Sequence, residues 1–198
     1  MRRNHCVQCT RPLSACYCPL IKQCVNDWPV VILQHIGESR HALGTARIAA
    51  LSLKNCSLTT VSESTQTSTQ LLDQALPHAS VLIYPGAAAA PVSELLNRSA
   101  CPLIFIDATW RKSRRMLHEM PQLANLPRYG LHDLPASRYR IRKTNQSGAV
   151  STLEAIIHTL ELLEAAPGKY TSLLSAMDWM LAQQISHIGA SRLQSNYE

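Results

Sequence analysis

A mostly parallel α/β fold with flanking helices is predicted by three short apolar runs: "PVVILQ" (Pro29–Gln34), "SVLIY" (Ser80–Tyr84) and "PLIFI" (Pro102–Ile106). Strands covered by helices on both sheet faces lose the alternation of polar and apolar residues and read as continuous β-branched runs. Helical signals lie between the runs, and alternating strand and helix is the pattern of layered parallel sheets. Aromatic residues make up only 5 % of the chain, which suits aliphatic helix-on-sheet packing better than a β-sandwich. In such sheets ligands collect beyond the carboxyl ends of the strands. His35, Tyr84–Pro85–Gly86 and Asp107 follow the three runs directly and are therefore expected to share one rim.

Ahead of the first run, Cys6, Cys9, Cys16 and Cys18 form the spacing C-x2-C-x6-C-x-C. In a reducing compartment this density points to a metal knuckle, because four thiolates around zinc can replace the core that a short segment cannot build. A ligand set made only of cysteine leaves no open position, so the expected metal role is structural; His5 is a possible substitute ligand. Cys24, Cys56 and Cys101 have apolar or helical neighbours and are expected to pack as small core residues. The expected division is a Cys-rich zinc-binding segment over residues 1–27 and one catalytic domain over 28–198.

Helices are expected at Ala42–Leu53, about Ser68–Leu76 and Val92–Asn97, with the polar "SESTQTSTQ" (Ser62–Gln70) leading into the second. A further helix opens near Trp110, and "RYRIR" (Arg138–Arg142) alternates as a half-exposed strand does. "STLEAIIHTLELLEAA" places Leu153, Ile156, Ile157, Leu160 and Leu163 on one helical face and begins with the capping box Ser151-x-x-Glu154. The last helix, Thr171–Ile188, should turn Leu174, Met177, Leu181, Ile185 and Ile188 inward and stop before Gly189. No apolar stretch approaches the roughly 20 residues of a membrane span. The N-terminus lacks a signal-peptide core, so a cytoplasmic protein without a membrane partner is expected.

The net charge of +6 is concentrated. Between Asp107 and Lys143 stand Arg111, Lys112, Arg114, Arg115, Arg128, Arg138, Arg140, Arg142 and Lys143, against only Asp107, Glu119 and Asp133. Such a cluster favours a polyanion, with nucleic acid ahead of membrane because no amphipathic apolar face accompanies it. Arg111, Arg114, Arg115 and His118 recur at helical spacing as one basic face suited to phosphates. A solvated helix face is the alternative.

Five ordered motifs carry a resemblance. "DATW" (Asp107–Trp110) follows an apolar strand, and "RKSRRM" comes next; "QHIGESRHALGTAR" (Gln34–Arg47) lies upstream, with "YPG", "RIRK" and "STLEA" in order along the chain. Together with the N-terminal cysteines they resemble the DTW-domain proteins, in particular bacterial members, with Ile36 where that family usually has proline. The resemblance covers nearly the whole chain. It implies a SPOUT-like knotted core and a tRNA-uridine aminocarboxypropyltransferase, which moves the 3-amino-3-carboxypropyl group of S-adenosylmethionine (SAM) to N3 of a uridine, in the variable loop, and releases methylthioadenosine.

Under that reading Asp107, Thr109 and Trp110 carry the chemistry. Tyr84, Pro85, Gly86, Asp107, Thr109, Ser151 and Thr152 hold SAM, while Arg40, Arg47, Arg111, Lys112, Arg114, Arg115, Arg140, Arg142 and Lys143 hold RNA. If uridine N3–H has a pKa near 10, an ordinary Asp at about 3.9 is about six units too weak for full deprotonation, roughly 8 kcal/mol. Asp107 would accept the proton as the new bond forms, or orient the substrate amine, or balance the sulfonium charge. A simple N-cap is the structural alternative for Asp107; core anchor and base-stacking surface stand beside each other for Trp110. Glu38 could equally pair with Arg40 or Arg47. Two other functions fit: a SAM-dependent RNA methyltransferase of the same fold, and a zinc-bearing RNA-binding module without chemistry.

Overall fold

The computed structural model of this 198-residue chain describes residues 4–39, 41, 43–62, 76–139 and 149–188. Its centre is a six-stranded sheet of β1 (Val30–His35), β2 (Cys56–Val61), β3 (Val81–Ile83), β4 (Ala90–Pro91), β5 (Leu103–Asp107) and β6 (Arg128–Gly130), in the order β2-β1-β5-β3-β6-β4. Every neighbouring pair is parallel. The three apolar runs become β1, β5 and β3, which stand side by side in the middle, the place where both faces are covered.

Helices close both faces. On one, Ile32, Leu103 and Phe105 pack with α1 (Ala46–Ser52), α4 (Thr152–Leu163) and α5 (Thr171–Ile188) through Ile48, Ile156, Leu160 and Met177. On the other, Val31, Leu33, Leu82 and Ile104 meet α2 (Trp110–Glu119) and α3 (Pro121–Ala124) through Met116, Met120 and Leu123. Each such fully buried aliphatic side chain contributes about 1.5–3 kcal/mol of transfer free energy. Alternate residues of one strand thus serve two cores, and polar residues appear only where the strands run out at Gln34, His35 and Asp107.

Several elements differ from expectation. Helix α1 starts at Ala46, not Ala42: Gly44 lies within the expected span and is a poor helix former, and Thr45 turns its hydroxyl to the Leu153 amide at 3.4 Å instead of capping its own helix. Val92–Asn97 is a 3-10 helix. Strands β2, β4 and β6 were not anticipated. β2 is an edge strand whose half-exposed residues hide the apolar signal, although "LTTV" (Leu58–Val61) carries β-branched residues. In α5 the inward residues include Leu173, Ala176 and Met180, whereas Ile185 is exposed; the side chain of Ile188 lies outside what is described. Most of the expected 68–76 helix and 138–142 strand also lies outside the described residues, and Arg138 and Tyr139 are not strand. Among the described residues no helix is long and apolar enough to cross a membrane.

Candidate active site

Asp107 ends β5 and pairs in register with Gln34 on β1, while Tyr84 follows β3 directly. The predicted rim therefore exists at the carboxyl edge of the three central strands. It opens into a cavity of ≈ 880 Å³ whose wall includes Glu38, Tyr84, Pro85, Asp107, Thr109, Trp110, Arg111, Arg114, Ser151 and Thr152. That volume suits a small-molecule site. Gly86, beside Arg128, and Arg47, Lys112 and Arg115 lie off this wall. Arg40, Arg140, Arg142 and Lys143 fall outside the described residues.

The Asp107 carboxylate is buried and held from two sides. Gln34 Nε2 donates to its Oδ2 at 2.8 Å, and Thr152 Oγ1 donates to its Oδ1 at 2.7 Å. The N-cap alternative for Asp107 does not hold, because Thr109 caps α2, its hydroxyl accepting from the Lys112 amide at 3.3 Å. Both carboxylate oxygens therefore act as acceptors, as in an ionised carboxylate. Gln34 was absent from the expected site residues. Its signal was a polar residue closing an otherwise buried strand, since a buried amide needs a partner.

The aromatic residues form a second wall. Trp110 meets Tyr84 edge-to-face, with ring centroids 5.9 Å apart, and the Tyr84 hydroxyl shares a 2.9 Å hydrogen bond with Ser113 Oγ. Arg128 extends this group, its guanidinium 5.6 Å from the Tyr84 ring centre. Trp110 is half-buried and faces the cavity, so it combines packing with an available surface.

The basic helix divides its labour. Arg111 and Arg114 are exposed on the cavity wall, whereas Arg115 forms an i,i+4 pair with Glu119 at 2.7 Å. Lys112 reaches Glu38 at 2.8 Å, a cation 74 residues away in sequence from the carboxylate. Lys112 is thus a partner across two elements that the sequence pattern did not suggest, while the pairing with Arg40 considered above involves a residue outside the described ones. Lys112 Nζ passes close over the glycine before Glu38: a Cβ on Gly37 would stand 2.7 Å from it, so the lysine end would have to shift.

Helix α4 delivers Thr152 through the predicted capping box. Ser151 Oγ accepts from the Glu154 amide at 3.3 Å and Glu154 Oε2 accepts from the Ser151 amide at 2.8 Å. Glu154 also accepts from Ser137 Oγ at 2.8 Å and the Arg138 amide at 2.7 Å, which ties the 137–139 loop to the cavity; Tyr139 then donates to the Leu43 carbonyl at 2.8 Å.

The four N-terminal cysteines converge, all their sulfurs lying within 4.8 Å of one another. Cys6 and Cys18 Sγ are 3.6 Å apart, Cys9 and Cys16 Sγ 3.7 Å. Tetrahedral coordination with metal–sulfur bonds of about 2.3 Å sets sulfurs about 3.8 Å apart, so the set fits a metal ion and is far too open for disulfides. Backbone amides of Cys9 and Gln8 pull the Cys6 thiol down to about 6, as suits a thiolate ligand, while burial pushes Cys16 and Cys18 up. Cys56 and Cys101 pack against the core as expected, and burial raises Cys56 to about 12.

A family model described as the DTW domain matches residues 3–185. Similar curated proteins are named tRNA-uridine aminocarboxypropyltransferase 2. That of Drosophila melanogaster is 29 % identical over 98 % of this chain and 80 % of its own length. Those of Mus musculus and Macaca fascicularis are 27 % and 26 % identical, each over 99 % of this chain and 68 % of its own length. All three are animal proteins, while the motifs suggested bacterial members. No solved structure matches significantly. With the family motif lodged on the wall of the cavity and the match running almost end to end, the chain belongs to the DTW domain family.

Proposed function

We propose that this protein is a tRNA-uridine aminocarboxypropyltransferase that uses SAM as donor. The observation that carries the reading is the joint placement of Asp107, Thr109 and Trp110 on a cavity of small-molecule size flanked by Arg111 and Arg114, in a chain whose curated relatives bear that name. In the transfer, the bond from sulfur to the aminocarboxypropyl carbon breaks, its electron pair neutralises the sulfonium to leave methylthioadenosine, and a new carbon–nitrogen bond forms at uridine N3.

The residues fit each need of that reaction. Tyr84 and Trp110 offer apolar faces for a nucleobase, and the Asp107 carboxylate offers negative charge to a cationic donor. Asp107 accepts the N3 proton as the carbon–nitrogen bond forms, so a free uridine anion never has to be generated. Arg111 and Arg114 stand outside the pocket floor, where tRNA phosphates would approach. Zinc is the proposed ion of the Cys6–Cys9–Cys16–Cys18 set, because four thiolates at tetrahedral spacing suit it and leave a closed, structural site.

The test is direct. Purified protein is incubated with unmodified tRNA and SAM, the RNA is digested and its nucleosides are weighed. A uridine carrying the aminocarboxypropyl group, with methylthioadenosine released in equal amount, is the expected result. A methyl adduct with S-adenosylhomocysteine, or no adduct on any tRNA tried, would overturn the reading.

A further inference from the structure

Gln34 is a buried amide whose Nε2 donates to Asp107. Strand register makes the meeting unavoidable: Ile32 pairs with Phe105 and Gln34 with Asp107, so both residues turn to the face that α4 covers. From α4 its first residue, Thr152, closes on the other carboxylate oxygen. Two elements, β1 and α4, thus hold one carboxyl group carried by a third, β5.

The arrangement leaves a mark. A carboxylate only accepts, so the amide must turn Nε2 toward it. Gln34 Oε1 is then buried without a hydrogen-bond partner among the described residues. A buried carbonyl without a partner is unfavourable. It is tolerated here because the same amide supplies one of the donors to a buried carboxylate, whose loss would cost more.

We infer that Gln34 and Thr152 form a two-sided clamp that fixes the rotamer of Asp107 for turnover, both acting as positioning residues. The inference rests on the proposed transferase reading and extends it: Thr152 serves Asp107 rather than the donor's carboxylate. A carboxylate held from two sides cannot swing away from the attacking nitrogen, and small misplacements of a reacting group are costly in rate.

The experiment compares steady-state transfer and SAM binding for wild type, Gln34→Met, Thr152→Val and Thr152→Ser. Gln34→Met keeps length and volume but removes the donor; it should lower kcat about 10- to 100-fold while KM for tRNA and Kd for SAM move little. Thr152→Val should behave alike, and Thr152→Ser should restore kcat because it restores the hydroxyl. In an Asp107→Ala background, Gln34→Met should cause no further loss, the signature of residues acting through one group. Wild-type kcat in Gln34→Met, or an equal further loss without Asp107, overturns the clamp while leaving the transferase reading intact. If Gln34→Met fails to fold, the Thr152 pair decides: equal kcat for valine and serine overturns the clamp. A wild type that transfers nothing is seen in the control arm and overturns the transferase reading itself, and the clamp with it.

Discussion

Asp107 shows how one residue can stand in two local contexts and be assigned by its neighbours. Placed between a strand and a helix, an aspartate can cap, catalyse or do both; Thr109 takes the cap, and Gln34 and Thr152 take the carboxylate. The arginines separate in the same way. Arg111 and Arg114 are exposed on the cavity wall, whereas Lys112 is engaged by Glu38. Replacing Arg111 and Arg114 by alanine should therefore weaken tRNA binding and reduce the slope of log K against log salt by about 1 for each phosphate left unneutralised. Lys112→Ala should instead perturb the Glu38 turn. A binding titration across several salt concentrations checks this, and an unchanged slope for the double arginine variant would sink the phosphate assignment. By contrast, Asp107→Ala should lower kcat about 100- to 10,000-fold, leaving a measurable residual rate, while tRNA binding persists, as filter binding beside the transfer assay would show.

At the scale of elements, the strength of each sequence signal follows how completely the element is covered. The central strands were legible because burial on two faces demands apolar residues at every position; β2 at the edge faces no such demand, and β4 and β6, of two and three residues, are too short to form a recognisable run. Helix α4 was legible from its apolar face and its capping box, both of which are local. Helix α1 begins later than its local pattern suggests because the use of Thr45 by the distant Leu153 amide is invisible locally. The capping box also bears on function, since it fixes the helix start that presents Thr152. Ser151→Ala should cost about 1 kcal/mol of stability. Denaturant unfolding measures it; an unchanged stability would mean that Glu154 and its loop hydrogen bonds hold α4 without the hydroxyl.

Across the whole molecule, the cysteine knuckle belongs to the same packing unit as the sheet. Cys9 and Tyr17 are nearly inaccessible and join the cluster that contains Trp28, Val30 and the α5 residues. Removal of the proposed metal should therefore be felt as reduced stability well beyond the first residues. Cys16→Ser is expected to lower both bound zinc and melting temperature, while the transfer rate per folded molecule survives, because no cysteine reaches the cavity wall. Equal zinc in both proteins, or loss of turnover at full stability, would contradict a structural role. The amino-acid order alone was enough to set the layered α/β class, the convergence of the four N-terminal cysteines, the capped helix and the rim at the strand ends, because each follows from spacing, burial demand or chemistry within a short stretch. Which carboxylate oxygen meets Gln34, which cation meets Glu38 and which arginines stay exposed on the cavity depend on strand register and on helices crossing from far along the chain. Those interactions join residues tens of positions apart, and no local preference encodes them.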